Sequence, residues 1–251
     1  KELWKSDGTT SGTVMVKDIN PGTGNSGIPF HLTAVGNTLY FQANDGTNGT
    51  ELWKSDGTST GTVMVKDIYP GTGNSSNPSY LKAVGNTLYF SANDGTNGSE
   101  LWKSDGTASG TVMVKDINSG GSSSPSGFTA VGNTTYFQAN DGTNGKELWK
   151  SDGTTTGTVM VKDINSAGSG SPAELTAFGN TLYFRADDGT NGKELWKSDG
   201  TTSGTVMVKD IHSGGNSDPT ILTAVGDTLY FRANDGTNGT ELWKSDGTTS
   251  G

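Results

Sequence analysis

The sequence predicts an all-β fold, a five-bladed β-propeller of four-stranded antiparallel blades, and three observations predict it. First, the string Glu-Leu-Trp-Lys-Ser-Asp-Gly-Thr occurs six times unchanged, at residues 2–9, 51–58, 100–107, 147–154, 194–201 and 241–248. Second, its tryptophans (Trp4, Trp53, Trp102, Trp149, Trp196 and Trp243) stand 49, 49, 47, 47 and 47 residues apart. Third, each period holds several short strand-like runs separated by Gly, Asn and Asp, with no helical period. Units of this length cannot bury their own apolar faces and must stack on one another.

The second unit gives the elements in order. Residues 32–35, Leu-Thr-Ala-Val, form the inner strand A and end at the hairpin-type pair Gly36-Asn37. Strand B follows at residues 38–43, with Leu39, Phe41 and Ala43 on one face and Tyr40 and Gln42 on the other. Residues 44–49, Asn-Asp-Gly-Thr-Asn-Gly, concentrate side chains that tolerate positive φ and read as a turn. Strand C is Glu51–Lys54, a second tight turn runs from Ser55 to Gly61, and strand D is Thr62–Ile68. A four-stranded meander of this length is one propeller blade. Both faces of the strands carry large side chains, as in a sheet packed between two others. A parallel β-solenoid is the alternative, but its coils are shorter and lack repeated hairpin signals.

Residues 1–251 are expected to form a single domain of five 47–49-residue repeats plus a redundant twelve-residue overlap. Residues 1–12 and 240–251 differ only at their first position, which leaves twenty-one strands, one more than five blades need. Closure is expected to join the terminal A and B strands (222–234) to strand D of the N-terminus (13–19), removing two open edges. Two copies of strand C then compete for one slot. The spare copy can exchange with another copy of the chain; alternatively the sequence is a window on a longer array or an engineered chain.

Composition narrows the function. The hydrophobic fraction is 29%, with 39 glycines, yet six Trp, seven Tyr and eight Phe recur mostly in register, which argues for a folded chain over disorder. A net charge of −9 disfavours nucleic acid and anionic membrane surfaces as partners. No apolar run approaches the ~20 residues of a membrane span. Without cysteine there is no disulfide framework, thiolate metal site or cysteine nucleophile.

The units differ mainly in the D-to-A links, residues 20–30, 69–80, 118–128, 165–174 and 212–221. In a propeller these links emerge on the same rim as the B–C loops, so variation is aimed at one face. Either that rim binds something, or long surface loops drift freely.

The repeated Glu-Leu-Trp-x-x-Asp-Gly-Thr, preceded by Asn-Asp-Gly-Thr-Asn-Gly, resembles the bacterial ELWxxDGT-repeat proteins over the whole chain. The resemblance implies a propeller-like region of a secreted or surface-associated bacterial protein, and it carries no catalytic residues. The near-identity of the units suggests recent duplication or design.

Candidate chemistry is sparse. His31 and His212 lack counterparts in other units, and no serine lies in a nucleophile-elbow context. The rim loops offer Asp45 and Asn48, Asp94 and Asn97, Asp141 and Asn144, Asp188 and Asn191, and Asp235 and Asn238 as ligand-binding residues. Their five aspartates are also Ca²⁺ candidates, although the spacing is not that of an EF-hand and turn formation explains the same residues. Asp56 and its equivalents are expected to cap their own turns, and Trp53 and its equivalents to pack between blades or to stack on a sugar. Lys146, Lys193, Arg185 and Arg232 read as solvated charges. The expected function is a non-catalytic interaction or display module, with no catalytic residues or cofactor, for a protein or glycan partner. The alternatives are a multivalent lectin with one weak site per blade and an enzyme with its site in a central channel.

Overall fold

The structure is a computed structural model that describes residues 1–22 and 24–250. Every regular element in it is a strand, and no helix is long and apolar enough to cross a membrane. The chain divides into two compact units, residues 1–124 and 125–251.

The first unit opens with β1 (Leu3–Lys5) and β2 (Val14–Lys17), a two-stranded sheet. Two four-stranded sheets follow: β3 (Phe30–Val35), β4 (Thr38–Asn44), β5 (Thr50–Ser55) and β6 (Val63–Lys66), then β7 (Ser79–Val84), β8 (Thr87–Asn93), β9 (Ser99–Ser104) and β10 (Val112–Lys115). The second unit begins with β11 (Ser126–Val131), β12 (Thr134–Asn140), β13 (Lys146–Ser151) and β14 (Val159–Lys162). After these come β15 (Ala173–Phe178), β16 (Thr181–Asp187), β17 (Lys193–Ser198) and β18 (Val206–Lys209). It ends with a three-stranded sheet, β19 (Thr220–Val225), β20 (Thr228–Asn234) and β21 (Thr240–Ser245).

All pairings join sequence neighbours and are antiparallel, so each full sheet is the expected A–B–C–D meander. Gly36, at φ +56°, makes the tight β3–β4 turn, which brings Thr38 opposite Val35; the next turn, residues 45–49, sets Phe41 of β4 opposite Trp53 of β5. Strand D is shorter than the sequence suggests. Its ladder stops at Lys66 because the amide of Ile68 is taken by a side chain, the Glu51 carboxylate, at 2.9 Å.

The core lies between successive sheets. In the first unit Tyr40, Leu52, Val65 and Ile68 pack against Leu88, Phe90 and Trp102 of the next sheet. In the second unit Tyr136, Leu148, Val161 and Ile164 meet Leu182, Phe184 and Trp196 in the same way. Burying a side chain of this size contributes ~1.5–3 kcal/mol, and much of that burial needs the neighbouring sheet. Polar struts run across the same seams. Lys54 Nζ donates to Gly106 O at 2.9 Å and Lys66 Nζ to Thr111 O at 2.8 Å. Lys66 also sits 5.8 Å from the ring centre of Trp102, a cation–π contact.

At both ends of the chain each strand pairs with its neighbour in sequence. β2 pairs with β1 and β21 pairs with β20.

Candidate functional site

The eight repeated residues turn out to be consumed by the fold. Glu51 is fully buried. One carboxylate oxygen accepts the Ser76 amide at 2.8 Å, and the other accepts Ile68 N–H at 2.9 Å and the Ser76 hydroxyl at 2.6 Å. It therefore pins the link that leaves its own sheet. Leu52 and Trp53 enter the core, and Lys54 crosses to the next sheet. Ser55 Oγ bonds Thr62 Oγ1 at 2.7 Å and receives the Gly57 amide. Asp56 accepts both the amide and the hydroxyl of Thr58, and Thr58 Oγ1 in turn accepts the Gly61 amide. The turn-capping expected of Asp56 is what the geometry shows, and its Thr58 bonds hold the carboxyl below its ordinary range.

The rim aspartates make the same kind of self-contained turn. Asp45 Oδ1 accepts the amides of Thr47 (2.9 Å) and Asn48 (2.8 Å), while Oδ2 accepts Asn48 Nδ2 at 2.7 Å. Asp94 with Asn97, Asp141 with Asn144, Asp188 with Asn191 and Asp235 with Asn238 repeat it. Burial pushes the Asp45 carboxyl up, but the bonds from Asn48 and Thr47 outweigh it and leave the group below its usual range. At Asp235 the Asn238 and Thr237 amides act with little burial against them, and the value falls to about 2. Each carboxylate faces its own turn, and no group of three or more His, Asp or Glu is poised for a metal among the described residues.

Beside these turns lie the variable links. Within a repeat, loop and link are stapled together: Gly73 N–H donates to Thr47 O at 2.9 Å and Thr50 N–H to Ser75 Oγ at 3.0 Å. Gly49 is required here, since a β-carbon on it would lie 1.7 Å from Asn74 O. Above the staple the two segments part. An open polar cleft of about 400 Å³ separates Asn140–Gly145 from Ser166–Ser169, and one of about 340 Å³ separates residues 187–192 from 214–216. The first residue of a link reaches onward to the turn of the following repeat. Tyr69 lies against Gly95 and His212 against Gly236, where Asn20 and Asn165 occupy the matching places.

Where each link enters strand A, the register slips by one residue, as between Phe30 and Thr33. The bulged residue lies in the left-handed region that favours glycine. Gly127 meets that demand, but His31 (φ 56°), Tyr80 (φ 55°), Glu174 (φ 59°) and Ile221 (φ 57°) occupy the equivalent places. In the first unit the rings of His31 and Tyr80 are 6.4 Å apart, and Phe30 packs edge-on to His31 at 4.6 Å. In the second unit the Ile221 amide donates to Glu174 Oε2 at 2.9 Å. Sequence reasoning singled out His31 but missed this shared backbone position. It also missed the buried glutamate, whose signal was an acidic residue fixed beside Leu-Trp in a strand.

No protein-family model matches this chain, and no curated protein matches it in sequence. Among solved structures it is similar to prolyl oligopeptidase B from Galerina marginata, at 14% identity and TM-score 0.55, over 87% of this chain and 35% of that one. It is also similar to the computationally designed Ika8 protein (19% identity, TM-score 0.49), over 87% of this chain and 58% of that one. TolB from Acinetobacter baumannii matches at 15% identity and TM-score 0.44, over 84% of this chain and 50% of that one. The chain thus spans little more than half the length of the designed protein, half that of TolB and about a third of the oligopeptidase. The likeness concerns the fold alone, a β-propeller-like array of antiparallel sheets.

Proposed function

We propose that this chain is a non-catalytic interaction module whose binding face is the link rim of a β-propeller, four blades being complete and the fifth begun by β19–β21. One observation carries the reading: the invariant side chains are engaged in holding the fold, whereas the variable ones gather on the links and the strand-A bulges. The resemblance to bacterial ELWxxDGT-repeat proteins fits display outside the cell or on its surface. The net charge of −9 turns the choice of partner away from nucleic acid.

The open polar clefts at residues 140–145 and 187–192 favour a second, narrower reading, a lectin with one weak site per repeat. Repeated sites on one chain gain through avidity what each lacks alone. The test is a panel of immobilised glycans and peptides probed with the 251-residue chain and with a Tyr69→Ala, His212→Ala variant. Binding that falls at least tenfold in the variant supports the rim. Binding indifferent to both residues, or turnover of any substrate in a hydrolase panel, refutes it.

A further inference from the structure

We infer that the polar clefts are neutral-sugar sites made by the shorter class of link, and that the longer class closes the same place with its own backbone. The inference rests on the lectin reading above and says which repeats carry a site. By sequence the links fall into two classes. Residues 21–26 and 70–75 both read Pro-Gly-Thr-Gly-Asn-Ser. Residues 119–122, 166–169 and 213–216 read Ser-Gly-Gly-Ser, Ser-Ala-Gly-Ser and Ser-Gly-Gly-Asn. The two missing residues account for the change in tryptophan spacing from 49 to 47.

The long link is a turn in its own right. Asn74 donates its main-chain N–H to Gly71 O at 3.0 Å and its side-chain amide to Pro70 O at 2.9 Å, and Asn25 repeats both bonds at 3.2 Å. So shaped, the link lays Gly73 N–H on Thr47 O at 2.9 Å. The short link has no residue to spare for that reach. Gly168 stands against Gly145 as Asn74 stands against Gly49, which makes Ala167 the counterpart of Gly73. The Ala167 N–H turns instead to Asn165 Oδ1 at 3.2 Å. Gly168 and Gly215 donate back to Asn165 O and His212 O, each at 2.9 Å. Among the described residues no donor reaches Thr143 O or Thr190 O, and these two threonines line the clefts of about 400 and 340 Å³. Volumes of this order suit a small molecule.

The larger cleft is uncharged and rich in acceptors. Its loop amides are spent: Gly142 on Asn140 Oδ1 at 2.7 Å, and Thr143 and Asn144 on Asp141 Oδ1 at 2.9 and 2.8 Å. The Lys146 amide goes to Ser169 Oγ at 3.0 Å. An anion therefore finds neither a cation among the lining residues nor a nest of free loop amides. What remains is the Thr143 carbonyl and the hydroxyls of Thr143, Ser166 and Ser169, which both accept and donate. A ligand with several O–H groups and no charge matches that set, as a pyranose does. In the smaller cleft Asp187 stands where the larger has Asn140. One of its oxygens takes the Gly189 amide at 2.7 Å, and the carboxylate repels anions further.

The test is two-dimensional amide NMR of the full 251-residue chain. The probes are the methyl glycosides of glucose, galactose, mannose and N-acetylglucosamine at millimolar concentration, with inorganic phosphate as the anion. At least one sugar is expected to shift the amides of residues 140–145 and 187–192 while those of 44–49 stay still, and phosphate is expected to shift none of them. Replacing residues 166–169 by Pro-Gly-Thr-Gly-Asn-Ser is expected to weaken binding at 140–145 by about tenfold or more and to spare 187–192. The reverse graft, Ser-Ala-Gly-Ser in place of residues 70–75, is expected to bring sugar binding to 44–49. The comparison of loops within the parent chain needs no variant, so it decides the matter even where a graft fails to fold. Equal shifts at 44–49 and 140–145, or a folded 166–169 graft that still binds there, overturn the link rule and leave a lectin with a site in every repeat. Phosphate shifting the cleft amides overturns the choice of ligand. No shift with any sugar overturns this inference and the lectin reading together, and leaves the rim as a surface for a protein partner.

Discussion

Glu147 accepts the amide of Gly170 and, alone among the four fully buried glutamates, has no hydroxyl to support it; Glu51, Glu100 and Glu194 each take a serine Oγ at 2.6 Å. Burial pushes all four carboxyls up, and at Glu147 the value reaches about 7. The chain thus holds an internal comparison of the same site with and without one hydrogen bond.

Gly170→Ser is expected to bring the Glu147 titration down toward its three counterparts, because a hydroxyl donor favours the carboxylate. Carbonyl-detected NMR of the glutamate side chains across pH 4–9 checks this. A midpoint unmoved by the serine would show that burial alone governs the site.

The sign of the pH dependence follows. A carboxyl raised in the folded state favours folding below the unfolded value of ~4.3, and that advantage is lost as pH rises through about 7. The rim aspartates act oppositely: held low, they favour folding above their unfolded value of ~3.9, and the benefit disappears as pH falls toward about 2. Urea midpoints are expected to be highest between these limbs, near pH 4–5, and Gly170→Ser is expected to flatten the alkaline limb only.

Glu51→Gln leaves one acceptor oxygen for three donors and turns an amide N–H₂ toward them. The expected loss is about 2–3 kcal/mol, concentrated in the link from Ile68 to Asn77. Hydrogen exchange should show faster exchange at the Ile68 and Ser76 amides, with the Phe90 strand little changed. Uniform acceleration across the chain would mean that the glutamate supports the whole unit rather than the link.

Two glycines of positive φ separate conformation from contact. Nothing lies within 4 Å of a β-carbon at Gly36, so Gly36→Ala is expected to cost only the backbone term, about 1 kcal/mol. At Gly49 the same change drives into Asn74 O and is expected to cost at least about twice that. Urea unfolding ranks the two, and limited proteolysis should cut the 69–77 link faster only in Gly49→Ala.

The strand order, the hairpin turns and the inter-sheet place of Trp53 and Trp102 were legible because each rests on local pattern: alternation, Gly-Asn pairs and a fixed period. The turn role of Asp45 and Asp56 was legible for the same reason. The αL bulge was hidden because four of its five occupants, His31, Tyr80, Glu174 and Ile221, are residue types that ordinarily avoid that backbone region. The burial of Glu51 was hidden because an acidic side chain beside a strand reads as solvated until its donors, which come from 17 and 25 residues away, are placed.

The bridges Lys54 to Gly106 and Lys66 to Thr111 draw only on side chains and carbonyls that every unit supplies in identical form. At these two bridges one unit therefore accepts any other as its successor. A gene that slips by one period during replication would still encode a wall whose bricks keep these two bridges, so the number of units can change by inheritance without either having to evolve anew.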